Sequence, residues 1–342
     1  MNIRYFTIGI FLSVITNIFG QDPQFSQYYS APLNLNPGFT GMNQLGRMGL
    51  NYRNQWPSID ANFESYSFYV DYNFDRYSSS VGLIVNTDRE GLAGLRSNMV
   101  GLQYAYQFGL NYKWTFRPAV QVAYYMRDIN FEKLTFGDQF DPTGQIIRPT
   151  SESFGSGLKA QFFDVSFGGV FFNERVWGGI SVYHVTEPNQ ALAGGESPLY
   201  QRTSIHGGYK IHFYELSARA QNRPRKERSF SPTFNFRSQG VFDQLDVGAY
   251  INLEPVIFGL WYRGVPIKNF KITPNNESFV FMVGLQQKSF NLGYSFDFTI
   301  SDLGINSGGA HEISFIFNFD LADPSLPPKS VREVKCPVPF SF

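Results

Sequence analysis

The chain has 342 residues, 28 basic and 28 acidic side chains, 18% aromatic and only 16% charged residues. A balanced charge lacks the basic footprint of a nucleic-acid binder, so no nucleic-acid partner is expected. So many rings beside so few charges depart from the roughly 25% charged composition of soluble globular chains, and the single cysteine, Cys336, excludes an internal disulfide framework.

Residues 1–20 read as a secretory signal peptide, with Arg4, an apolar run from Tyr5 to Val14, and Gly20 ahead of a cleavage point before Gln21. The run is too short for a membrane anchor, and no cysteine follows it to carry a lipid. Residues 21–45 hold Pro23, Pro32 and Pro37 and no clear alternation. They are expected to enter the lumen of the following domain as a plug, or else to hang from it as a periplasmic leader.

Residues 46–320 carry no apolar run of the eighteen or so residues that a membrane helix needs. Period two recurs instead. Tyr66, Phe68, Val70, Tyr72 and Phe74 alternate with Ser65, Ser67, Asp71 and Asn73, and Tyr69 alone breaks the rule. Phe290, Leu292, Tyr294, Phe296, Phe298 and Ile300 alternate with Asn291, Gly293, Ser295, Asp297 and Thr299. Each such segment presents one apolar and one small or polar face. A soluble sandwich also alternates, but segments of about ten residues with aromatic-rich outer faces suit a tilted strand crossing a bilayer.

Strands are placed near 46–54, 62–74, 78–88, 96–108, 111–126, 160–173, 175–186, 200–214, 229–239, 241–253, 256–263, 277–287, 289–300 and 310–320. The expected fold is therefore all-β, a transmembrane antiparallel β-barrel of about fourteen strands, closed because hydrocarbon tolerates no sheet edge. Short connections at 75–76, 109–110, 173–174, 254–255 and Lys288 alternate with longer ones at the third, fifth, seventh, eleventh and thirteenth positions. The longest is 128–159. Short periplasmic turns and long external loops would place both termini in the periplasm.

Two places resist this scheme. Connection 215–228 should be short, yet it carries Arg219, Arg223, Arg225, Lys226 and Arg228, a solvated periplasmic turn or a contact for an anionic partner. Pro118 lies inside a strand, where its missing N–H implies a bulge or an edge-like distortion. The tail, 321–342, is proline-rich and is expected to extend into the periplasm. Cys336 there would be a spare thiol or would form an intermolecular disulfide with a periplasmic or lipoprotein component.

No catalytic, cofactor or metal site is expected. His184, His206, His212 and His311 are scattered; His206 and His212 share a strand face but lie about 20 Å apart at strand rise, too far to share a metal. Gly168-Gly169, Gly178-Gly179 and Gly207-Gly208 lack the lysine and helix of a phosphate loop and read as bends or close packing. A membrane hydrolase with strand-borne Ser and His leaves no local motif to test.

Asp22-Pro-Gln-Phe-Ser-Gln-Tyr28, Leu35-Asn-Pro-Gly38 with Gly41, and Asn51-Tyr-Arg-Asn-Gln-Trp-Pro57 resemble the opening of the PorP/SprF family of the Bacteroidetes type IX secretion system. Gly293-Tyr-Ser-Phe-Asp297, Ser301-Asp-Leu-Gly304, Gly308-Gly-Ala-His-Glu-Ile313 and Cys336-Pro337 resemble its end. The resemblance spans the mature chain, is specific at both ends and generic between them. It implies an outer-membrane barrel working with the type IX machinery, needed for export or surface attachment of cargo such as gliding adhesins, whose C-terminal signal domain is recognised. The implied partners are that cargo, the machinery and its periplasmic or lipoprotein components, and outer-membrane lipid.

Such a role needs external loops on a rigid scaffold. The fifth connection, with Phe131, Phe136, Phe140, Pro142 and Pro149, is the candidate for cargo contact, or alternatively a lid over the mouth. A transporter of hydrophobic small molecules resembling fatty-acid channels, or a porin, is the alternative function.

Overall fold

The computed structural model describes residues 22–43, 46–60, 62–91, 94–130, 134–141, 143–151, 158–213, 227–270, 273–287, 289–301, 304–319 and 335–339. Fourteen strands form the wall: β1 Gly46–Gln55, β2 Phe63–Phe74, β3 Ser79–Glu90, β4 Leu95–Tyr106, β5 Thr115–Asp128, β6 Lys159–Phe172 and β7 Val176–Tyr183. They continue as β8 Arg202–Tyr209, β9 Arg228–Gln239, β10 Phe242–Leu253, β11 Val256–Phe270, β12 Thr273–Gln286, β13 Phe290–Thr299 and β14 Ala310–Phe319. Two-residue pieces, Phe108–Gly109 and Ile211–His212, prolong β4 and β8. Every neighbour is antiparallel, and β14 pairs with β1 from Gly46↔Phe319 to Gln55↔Ala310, so the ring of strands closes on itself. The expected strand number and order are those observed.

Burial is inverted relative to a soluble sheet. Along β13, Asn291, Ser295 and Asp297 are buried while Leu292 and Tyr294 are exposed, so the polar face lines the lumen and the apolar face meets lipid. Tyr69, the exception in β2, belongs to the inner face: its hydroxyl donates to the Ser30 carbonyl (3.0 Å) and the Arg47 guanidinium lies over its ring. It fits because Gly49 stands opposite on β1, where a Cβ would collide with the ring.

Pro118 keeps its place in the β5–β6 ladder opposite Gly169, while on the other side the β4 ladder breaks at Gln107, between Ala105↔Ala119 and Phe108↔Phe116. The distortion its missing donor requires is thus a gap in one ladder. From the sequence, β11 is expected to end at 263 and the next strand to begin at 277. Instead the ladder continues to Phe270↔Thr273 through two register shifts, since bulges absorb residues that a regular strand cannot. The eleventh connection is therefore two residues, 271–272, and not one of the long ones.

Candidate functional site: the filled lumen and the upper mouth

We call the mouth bearing connections 129–158 and 184–201 the upper mouth. Residues 22–43 run down the lumen from it, through a single helical turn, Pro32–Leu35, and a 3-10 turn, Pro37–Phe39, to Asn43, which donates to Asn318 (2.6 Å) low on β14. A chain without sheet partners must satisfy its backbone otherwise, and the inner wall supplies the partners at every level.

At the top, the Asp22 carboxylate lies 2.7 Å from His184 Nε2 and 2.8 Å from Arg202, and the Asp22 N–H donates to Gln239 (3.0 Å). His184 Nδ1 reaches Asp164 at 3.1 Å. Burial pulls the imidazole pKa down, but the Asp22 carboxylate and hydrogen bonds to both acids outweigh it and hold His184 up at about 9. Burial likewise pushes Asp22 up, yet His184 and Arg202 keep it well below the usual carboxylate range. Asp22 is fixed at the upper mouth by these charges, whereas β14 ends at the lower one.

One layer down, the Ser26 hydroxyl donates to Asp297 (2.6 Å) and accepts from Arg53 (2.6 Å) and Arg263 (2.9 Å). The N–H groups of Ser26 and Gln27 donate to the two oxygens of Glu312 at 2.6 and 3.0 Å. Arg263 also pairs with Asp246 (2.7 Å) and Asp297 (2.9 Å), and Arg53 with Asp297 (2.8 Å). Four wall strands are thus joined through one serine of the plug. Buried charges persist only when paired and hydrogen-bonded.

Below lies an apolar layer in which Tyr28, Tyr29 and Phe39 pack with Trp177, Tyr250 and Trp261. Trp177 Nε1 donates to the Tyr29 hydroxyl (2.6 Å). Asn36 donates to the carbonyls of Gly169 (3.1 Å) and Ile180 (3.0 Å). It can sit there because Gly168 and Gly179 lack side chains: a Cβ on Gly179 would lie 2.6 Å from His206 Nε2 and 2.9 Å from Asn36 Nδ2. Gly168 and Gly179 therefore give room for the plug, while Gly208 gives room for the Trp177 ring. Lower still, Arg47 and Asp71 pair at 2.7 Å, and Asp71 accepts from the Gly41 N–H at 2.6 Å.

The described end of the tail, 335–339, corrects the expectation of an extended periplasmic segment with an available thiol. Cys336, Pro337, Val338 and Pro339 are buried, and Cys336 and Val338 join the interior cluster that holds Tyr29 and Trp177. Burial pushes the thiol up to about 12, which removes the thiolate that disulfide exchange requires. Chain from both termini thus occupies the lumen. Near the upper mouth is a cavity of about 70 Å³ bordered by Asp22, Asp88, Glu90, Arg127 and Arg202.

Of the cargo-contact candidates, Phe131 and Pro142 lie outside the described residues, as do Arg219, Arg223, Arg225 and Lys226 of the basic connection; Arg228 opens β9 and is exposed. Phe136 is half-buried, while Phe140 and Pro149 are exposed. Their loop is bound to itself: Asp138 accepts from Thr150 (2.8 Å) and the Ser151 N–H (2.7 Å), Asp141 accepts from the Thr143 and Gln145 N–H groups (both 2.9 Å), and Phe140 bridges to Ile146. Ile146 and Ile147, unremarked in sequence, stand 59% and 62% exposed just after its turn. Two consecutive isoleucines outside any alternating segment were the available signal. Among the described residues no group of His, Cys, Asp and Glu could hold a metal ion.

The family model described as type IX secretion system membrane protein PorP/SprF matches residues 17–317. Among curated proteins none matches this chain. The Pseudomonas putida toluene transporter TodX is 10% identical, with 84% of this chain and 93% of that chain covered and a TM-score of 0.44. A Pseudomonas aeruginosa FadL homologue is 12% identical, covering 83% and 93%, at 0.40. CdiB from Acinetobacter baumannii is 10% identical at 0.42, with 81% of this chain covered; this chain spans only 60% of that one.

Proposed function

The chain belongs to the type IX secretion system membrane protein PorP/SprF family, and on that premise we propose that it supports export or surface attachment of cargo proteins, gliding adhesins among them, by binding their C-terminal signal domain. In this reading the upper mouth faces outside the cell, and the protein is a binding component with no reaction of its own. The observation that carries it is the filled lumen. A barrel whose interior is bonded to its own chain ends at every level offers partners its surface, and the self-braced loop 134–151, with Phe140, Ile146 and Ile147 exposed, is the projecting part of that surface. Passage of a hydrophobic solute or an ion would require the plug to leave.

The test is deletion of residues 137–152. The barrel should still insert, because the loop's bonds described above are internal to it, while cargo should appear in the medium instead of on the cell. Cargo that stays on the surface at its usual amount removes this loop from the reading.

A further inference from the structure

The upper half of β6 is an open sheet edge. β6 pairs with β5 along its whole length, from Asp128↔Lys159 to Thr115↔Phe172, but with β7 only from Phe167↔Val182 to Phe172↔Trp177. One further bond, from the Val185 N–H to the Val165 carbonyl (3.1 Å), continues that ladder. Then His184 and Glu187, at positive φ, and a turn closed by the Glu187 N–H on the His184 carbonyl carry the chain away.

Backbone groups of alternate residues point to the same side of a strand. Since Val165 bonds toward β7, the N–H and C=O groups of Gln161 and Phe163 point that way too, and among the described residues they have no ladder partner there. Phe163 is 69% exposed on the outer face beside this edge, in contact with Tyr124 (ring centroids 5.0 Å apart). On the lumen side Phe162 stacks on Tyr125 (5.1 Å), which stiffens the edge strand.

We propose that residues 159–163 are a β-augmentation site: an extended segment of the cargo's C-terminal domain adds as an antiparallel strand to β6, its backbone bonded to Gln161 and Phe163 and one apolar side chain laid against the Phe163 ring. The inference rests on the cargo reading above and deepens it. The unmet groups are backbone donors and acceptors in register, so the chemistry that completes them is another strand, which lipid cannot supply.

The test uses the full barrel in detergent and, as probe, the purified C-terminal domain of a cell-surface adhesin from the same bacterium. Gln161→Pro deletes the edge N–H without touching a β5–β6 bond, because Gln161 points away from β5, and should weaken binding about tenfold, the scale of one or two ladder bonds. Phe163→Ser should weaken it less. On the unchanged barrel, the Gln161 and Phe163 amides should exchange at least about tenfold more slowly once the domain is bound, a readout that stands even if the proline variant does not fold. Equal binding by a folded Gln161→Pro barrel, or unaltered exchange at both amides with the domain bound, overturns the edge site alone. No binding to the unchanged barrel overturns the edge site and the cargo reading together.

Discussion

Ser26→Ala isolates the plug from the wall, because the hydroxyl lies on the plug while its partners, Arg53, Arg263 and Asp297, lie on β1, β11 and β13. The change deletes three charge-assisted hydrogen bonds, each worth about 1.5–3 kcal/mol. The arginines and the acid keep their mutual ion pairs at 2.8 and 2.9 Å, and a water can replace the hydroxyl in part. The expected loss of plug docking is then about 2–4 kcal/mol, or roughly a 30- to 700-fold larger undocked fraction at about 1.4 kcal/mol per decade. Amide exchange at Ser26, Gln27, Gly38 and Gly41 in the purified barrel reads that fraction directly, and single-barrel conductance in planar bilayers reads it as brief openings. Unchanged exchange at these four amides in a folded variant would mean that the layer does not hold the plug.

The upper latch is expected to depend on pH. His184 is raised from 6.5 to about 9, so its contribution is complete below about 6.5 and lost as pH rises through about 9. Asp22 is lowered, so its contribution is present above the ordinary carboxylate pKa of 3.8 and lost as pH falls below it. The protection factor of the Asp22 amide, its exchange rate relative to the intrinsic rate at each pH, should therefore be largest between these limits, and His184→Gln should abolish the alkaline step; a flat protection profile would contradict the pairing. Gly168→Val should drive Asn36 from its seat, leaving a barrel that still shows heat-modifiable migration but whose residues 22–43 are cut by added protease. Cys336 should resist a bulky maleimide in the folded barrel and react fully after unfolding, whereas rapid labelling of the native protein would place the thiol outside the lumen.

The wall was legible because a bilayer imposes one rule on every strand. Asn291, Ser295 and Asp297 had to face one way and Leu292 and Tyr294 the other, whatever they touched, so period two alone recovers strand number and order. The same rule misleads where the lumen is not watery. Tyr69, Tyr250, Trp177 and Trp261 face inward, since an interior filled with protein accepts rings as a soluble core does. An inward ring is therefore a sign of what fills the barrel, and Tyr69 was visible as an irregularity without its cause. The strand bounds at 263 and 277 were misplaced for a local reason, because bulges depend on the partner strand's register and period does not encode it.

The site was far less legible, because its bonds join residues that no local window contains. Ser26 and Asp297 are 271 positions apart, as far as a plug must be from the last strands of its wall. Arg53, Arg263, Asp297 and Glu312 each read as ordinary lumen polarity, and only closure shows that they converge. The prolines of the tail were read for extension into solvent, but extended backbone without sheet partners is also what threads a lumen. Cys336 and Val338, two apolar side chains on either side of Pro337, carry the apolar content that decides between the two. Asp22 argues the same way from charge. A carboxylate at the start of a floppy leader would keep its water, whereas one held between His184 and Arg202 gives up water only for partners that a folded upper mouth supplies. Loss of either partner should therefore free the top of the plug first and leave the Asn36 seat below still closed.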